Sequence, residues 1–109
     1  MSRPTLLICR RCEGEDESSS GERLYERVKA LRKARELKEH FAVEGVKCLG
    51  LCDQPCAVQL EGKKRSTYVR ARVHALREVE LLVDAALAYA ALEPGEELPE
   101  RRLPGISGD

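Results

Sequence analysis

The chain has 109 residues, 42% of them apolar, and its 19 basic and 19 acidic residues leave a formal net charge of zero. One domain with a modest core is expected at this length. The charge balance argues against a nucleic-acid partner held by bulk positive charge, and no apolar run approaches the roughly 20 residues that cross a bilayer.

The first element is a short apolar run, TLLIC (5–9), suited to a buried strand. RRCEGEDESSSGE follows and is wholly polar, with two glycines and three serines, so it reads as a solvated loop. From Ser20 the pattern turns helical. Leu24, Val28, Leu31, Ala34 and Leu37 recur at three- and four-residue spacing, and the helix is expected to end near His40. FAVEGVKC (41–48) supplies a second strand, with Gly45 weakening its interior.

LGLCDQP is a loop, and CAVQL (56–60) alternates as a third strand. EGKK makes a hairpin turn, so RSTYVRARV (65–73) should pair back antiparallel. A second helix is expected over 74–92, its face formed by Leu76, Val79, Leu82, Val83, Ala86, Leu87 and Ala90. The residues after Leu92 carry three prolines and three glycines without periodicity, so 93–109 reads as a tail, draped or disordered, behind a domain at 1–92. The order β-α-β-β-β-α predicts a parallel pair joined by a right-handed helical crossover, then an antiparallel hairpin. That is a thioredoxin-like α/β fold with a mixed four-stranded sheet.

The N-terminus MSRPTLLICRRC lacks the long apolar stretch and cleavage site of a secretory signal, so a cytoplasmic setting is expected. Structural disulfides are disfavoured there, and the five cysteines point to metal, cluster or thiol chemistry. Cys9 and Cys12 fall at the carboxyl end of the first strand, Cys48 and Cys52 at that of the second. If those strands are parallel neighbours, both pairs leave one sheet edge and four thiolates can converge. Four sulfurs suit tetrahedral zinc or an iron–sulfur cluster. Zinc ribbons favour two-residue spacings in both pairs, whereas the three-residue gap between Cys48 and Cys52 favours the wider 2Fe–2S rhomb. Cys56 shares a strand face with Val58 and Leu60 and reads as a small buried hydrophobe, with alternative ligation as its second reading.

LLICRRC, VKCLGLCDQPCAVQL and GKKRSTYV together resemble the thioredoxin-like 2Fe–2S ferredoxins, and within them a bacterial branch of predicted metal-binding proteins. The resemblance spans 5–92. It implies one 2Fe–2S cluster on Cys9, Cys12, Cys48 and Cys52, electron transfer rather than enzymatic turnover, and a redox partner protein. In many of these ferredoxins the first two cysteines lie much further apart than Cys9 and Cys12; the bacterial branch shares the short spacing and a cysteine like Cys56. Relatives are often dimers, and the apolar run LLVDAALAYAAL is long enough to serve a homodimer as well as the core.

Two rivals stand beside the electron carrier: a zinc-stabilised interaction module on the same ligands, and a thiol–disulfide oxidoreductase using Cys9 and Cys12. CRRC follows a first strand, Pro55 precedes the third, and Arg10 and Arg11 would favour thiolate. Against the oxidoreductase, many polar residues separate Cys12 from the helix whose dipole should activate it, and Cys48 and Cys52 are left without a role. Arg10, Arg11 and Lys47 read either as solvated charges or as a basic rim that offsets cluster charge and meets an acidic partner. His40 suits a helix C-terminus, Tyr68 a packing position with a wet hydroxyl, and Asp53 a loop acceptor. Neither His40 nor His74 neighbours a cysteine motif, which excludes a Rieske centre.

Overall fold

The computed structural model describes residues 4–10, 21–46, 57–62, 66–93 and 95–107. In chain order the elements are β1 (Thr5–Cys9), α1 (Gly21–Ala34), β2 (Ala42–Val46), β3 (Val58–Glu61), β4 (Tyr68–Ala71) and α2 (Val79–Ala90). A 3-10 turn (Glu100–Arg102) and a short β5 (Ile106–Ser107) follow. The sheet order is β2-β1-β3-β4-β5. The crossover through α1 makes β1 and β2 parallel, and the hairpin pairs β3 with β4 antiparallel. β1 lies between β2 and β3. The α/β arrangement of the four expected strands and two helices is present, and β5 adds a further strand beside β4.

The core forms where the strand period and the helix period meet. Leu6 and Ile8 of β1 and Val58 and Leu60 of β3 are buried with Leu24 and Val28 of α1 and Leu82, Val83, Ala86 and Tyr89 of α2. Tyr89 was not part of the face expected from the sequence. It packs edge-on against Tyr68, with centroids 5.9 Å apart, and its hydroxyl donates to the Ser66 carbonyl at 2.7 Å. Leu76, expected on that face, is 43% exposed.

Both helices are shorter than the apolar spacing implied, for local reasons. α1 stops at Ala34 because the chain turns through Glu36 at φ 56°. Glu36 N–H bonds the Lys33 carbonyl and Leu37 N–H the Arg32 carbonyl, the paired reversal of a Schellman cap. Leu37 is buried as the hydrophobic residue that accompanies such a cap, not as another helical turn, and His40 lies beyond the helix it was expected to end. Ahead of α2, the His74 Nδ1 accepts from the Leu76 and Arg77 amides at 3.2 and 3.0 Å. That side-chain acceptor holds 75–77 as a turn, so the helix begins at Val79.

The segment after Leu92 is draped over the domain and tied down. Leu98 and Leu103 join the core cluster. Arg70, only 4% exposed, donates to the Pro104 and Gly105 carbonyls at 2.8 and 3.0 Å. Glu78 accepts from the amides of His74 and Gly105, and the Tyr68 hydroxyl accepts from the Leu98 amide, so that hydroxyl is bonded to backbone rather than wet. Gly105 has φ 64°, and a Cβ there would fall 2.2 Å from the Ala71 carbonyl oxygen, so glycine is required.

Two outcomes follow from this packing. Removing 94–109 takes the Pro104 and Gly105 carbonyls from Arg70 and uncovers the contacts of Leu98 and Leu103, lowering stability by about 3–6 kcal/mol in urea unfolding. Glu36→Gly relieves left-handed strain at a cap and should raise the urea midpoint at constant slope, a gain of about 0.5–1 kcal/mol.

Candidate metal centre

Cys9 is the last residue of β1 and is wholly buried. Successive strand residues face opposite sides, so it lies on the face away from Leu6 and Ile8. In register it stands opposite Val46, the last residue of β2. On its other side its amide donates to the Ala57 carbonyl at 3.0 Å. Val46 and Ala57 are also the two ends of the segment 47–56, which carries Cys48, Cys52 and Cys56. Cys12, Cys48, Cys52, Cys56, Arg11, Lys47, Asp53 and Pro55 lie outside the described residues. Among the described residues, no group of three His, Cys, Asp or Glu could hold a metal ion.

The expected geometry is therefore present as far as the sheet goes. The parallel pairing puts the ends of β1 and β2 at one sheet edge, and the antiparallel β3 starts from that edge too. Both cysteine-bearing segments, 10–12 and 47–56, attach within two interstrand spacings, about 10 Å in all. Cysteine thiols carried on segments that leave one sheet edge are the donor type of a thiolate-held metal centre, whether iron–sulfur or zinc.

Arg10 begins the first of these segments and is fixed in place. Its amide donates to the Val46 carbonyl at 2.9 Å, extending the ladder one step past Cys9. Its guanidinium grips Glu22 in a two-pronged pair, Nε to Oε2 at 2.7 Å and an η-nitrogen to Oε1 at 2.8 Å. The same group lies over the Tyr25 ring, 4.7 Å from the centroid, and Lys29 Nζ sits 5.1 Å from that centroid. Of the two readings of Arg10 made from sequence, neither names this pairing: its charge is balanced by Glu22. Any basic rim would rest on Arg11 and Lys47.

Glu22 and Tyr25 were given no part in the site from the sequence, and Gly45 was read only as weakening its strand. Glu22 and Tyr25 are three apart in the first turns of a helix, which places them on one side. Gly45 reads as a weak point in a strand when it is the place where the Arg10 stem crosses: a Cβ there would stand 2.1 Å from Arg10 Cδ.

The fold is shared with two solved structures of the thioredoxin-like [2Fe-2S] ferredoxin from Aquifex aeolicus, each at 13% identity and a TM-score of 0.63. One match covers 90% of this chain and 96% of the ferredoxin, the other 100% and 96%. The fold class is therefore that of the thioredoxin-like ferredoxins. By sequence, residues 6–106 match the family described as protein of unknown function DUF1636, and the chain belongs to that family. A comparison with curated proteins finds no match. No helix among the described residues is long and apolar enough to cross a membrane.

The hydrogen bond from Arg10 draws the Glu22 carboxyl below its ordinary pKa, and the same bond raises Arg10. A depressed carboxylate stabilises the fold above its unfolded pKa and loses that contribution as pH falls through the lowered folded value. The stability difference between the native chain and Glu22→Gln should be flat at neutral pH and close in acid, below the ordinary carboxylate range; paired urea titrations across pH check it.

Proposed function

We propose that the protein is a small electron carrier holding one 2Fe–2S cluster through Cys9, Cys12, Cys48 and Cys52. The observation that carries this reading is the position of Cys9. It ends the strand between β2 and β3, and its two lateral neighbours, Val46 and Ala57, are the residues from which the remaining cysteine segment starts and to which it returns. Cys48 is two residues from Val46 and Cys12 three from Cys9, so each lies within about 7–11 Å of those anchors along the chain. The shared fold with a protein whose structures carry the name [2Fe-2S] ferredoxin supports the choice of cluster. When bound, such a cluster supplies a one-electron couple near the surface. The chain's own part is to present thiolates, keep the neighbouring backbone fixed, and offer the edge to a redox partner, acidic if Arg11 and Lys47 form a basic rim. A cytoplasmic setting would keep the thiols reduced.

The zinc module uses the same four thiols and is separated by colour, since zinc–thiolate protein is colourless. The oxidoreductase reading is weakened by the burial of Cys9, which removes the exposure an attacking thiol needs. A homodimer through α2 has less apolar surface available than the sequence implied, because Leu98 and Leu103 join the same core cluster as α2.

Single replacements test the ligand set. Cys9→Ser, Cys12→Ser, Cys48→Ser and Cys52→Ser should each abolish or severely reduce visible absorption and iron retention in anaerobically purified protein, while Cys56→Ser keeps both. Loss in Cys56→Ser alone, with the other four coloured, would overturn the assignment.

A further inference from the structure

Four features converge on one side chain beside the centre, and global stability does not explain them. An exposed ion pair adds little to global stability, because solvent screens it and two long side chains must be ordered to form it. Yet Arg10 is held by both oxygens of Glu22, stacked on Tyr25, bonded through its amide to Val46, and threaded across a position where any Cβ would collide with its stem. Glycine inside a strand weakens that strand. At position 45, φ lies outside the left-handed region, so the backbone itself does not demand glycine. The passage of Arg10 accounts for it.

Arg10 also stands at the junction of everything that must be held in register. It is the residue directly after Cys9 and opens the link to Cys12. Its amide touches Val46, from which the segment to Cys48 departs. Its guanidinium joins both to the first turns of α1, through Glu22 and Tyr25. Arg10 therefore ties Cys9 and Val46, the residues at which the described strands end, to the first turns of α1.

We propose that Arg10 is a positioning residue of the thiolate centre, clamped by Glu22, Tyr25 and the bare backbone of Gly45, and that it pre-aligns Cys9 and Cys12 with Cys48 for metal capture. The inference rests on the four-thiolate reading above. It assigns Arg10 no direct contact with the metal. Its effect passes through the backbone at 9–12 and 46–48, as outer partners of metal ligands commonly act.

The test titrates the full-length, reduced, metal-free chain with cobalt(II) under anaerobic conditions. The thiolate-to-cobalt charge-transfer band and the tetrahedral d–d bands are followed, and apo thermal unfolding is measured alongside. Arg10→Gln and Gly45→Ala should each weaken cobalt affinity by about 10-fold or more, in the range typical of outer-shell partners, while apo unfolding changes little. Glu22→Gln, at an exposed position, should act in the same direction and keeps the inference testable should Arg10→Gln fold poorly. Arg10→Lys keeps the charge but not the two-pronged grip and should not restore affinity. The double variant Arg10→Ala/Gly45→Ala should bind no more weakly than Arg10→Ala, because alanine at position 10 has no Cγ or Cδ for the added methyl to displace.

Unchanged affinity in Arg10→Gln and Gly45→Ala would overturn the inference, as would full restoration by Lys or additive losses in the double variant. A native chain that shows no tetrahedral thiolate–cobalt spectrum would overturn the four-thiolate reading and this inference with it. Native binding that is lost in Cys9→Ser but unaffected by the Arg10 and Gly45 changes would remove the clamp alone.

Discussion

The candidate site depends on where β1 ends. A strand paired on both sides has no freedom to slide, because a one-residue slip would turn Leu6 and Ile8 out of the core and send Thr5, Leu7 and Cys9 in. That register fixes Cys9 between Val46 and Ala57. Parallel pairing with β2 requires a crossover, and α1 supplies it while covering the face on which Leu6 and Ile8 are buried. Antiparallel pairing with β3 brings the returning chain back to the same edge. Core packing thus sets the origin of both cysteine segments before any metal is considered.

Charge around that edge is arranged locally rather than broadly. Arg10 directly follows Cys9 in the chain, and its partner Glu22 stands in the first turn of α1. A carboxylate there is also favoured by the helix dipole, so one residue serves the helix end and the sheet edge at once. Two strands across the sheet, on β4, a second arginine has a different task. Arg70 is buried, and carbonyls of the C-terminal segment satisfy it, which binds that segment along β4. The two arginines act by different means: one through an exposed pair against a helix, the other through buried hydrogen bonds to backbone.

The element order, the parallel pair and the hairpin were legible in the sequence because hydrophobic period and turn residues agree there. Leu37 continued the helical spacing, but it is buried by a chain reversal whose left-handed residue is Glu36, a residue type that gives no warning of it. The start of α2 was hidden in the same way, because His74 bonds its own following amides. The tail looked featureless because its order comes from elsewhere in the chain: from Arg70, Glu78 and Tyr68, each a long-range partner that no local pattern encodes. For the site, spacing located Cys9 at a strand end, and the pairing of β1 with β2 agrees with the shared edge inferred for the two cysteine pairs. The clamp around Arg10 was not visible. Gly45 was the available signal, since a glycine in a strand marks either weakness or the close approach of another group, and only the three-dimensional neighbours decide which.

The account stands on one claim, that four cysteines at one sheet edge hold a 2Fe–2S cluster. Its most direct measurement is the iron and acid-labile sulfide content of protein purified without oxygen. The account predicts iron and sulfide in equal amounts, as a 2Fe–2S cluster requires, with both lost in Cys9→Ser. Stoichiometric zinc without labile sulfide, or a chain that retains no metal at all, would contradict it.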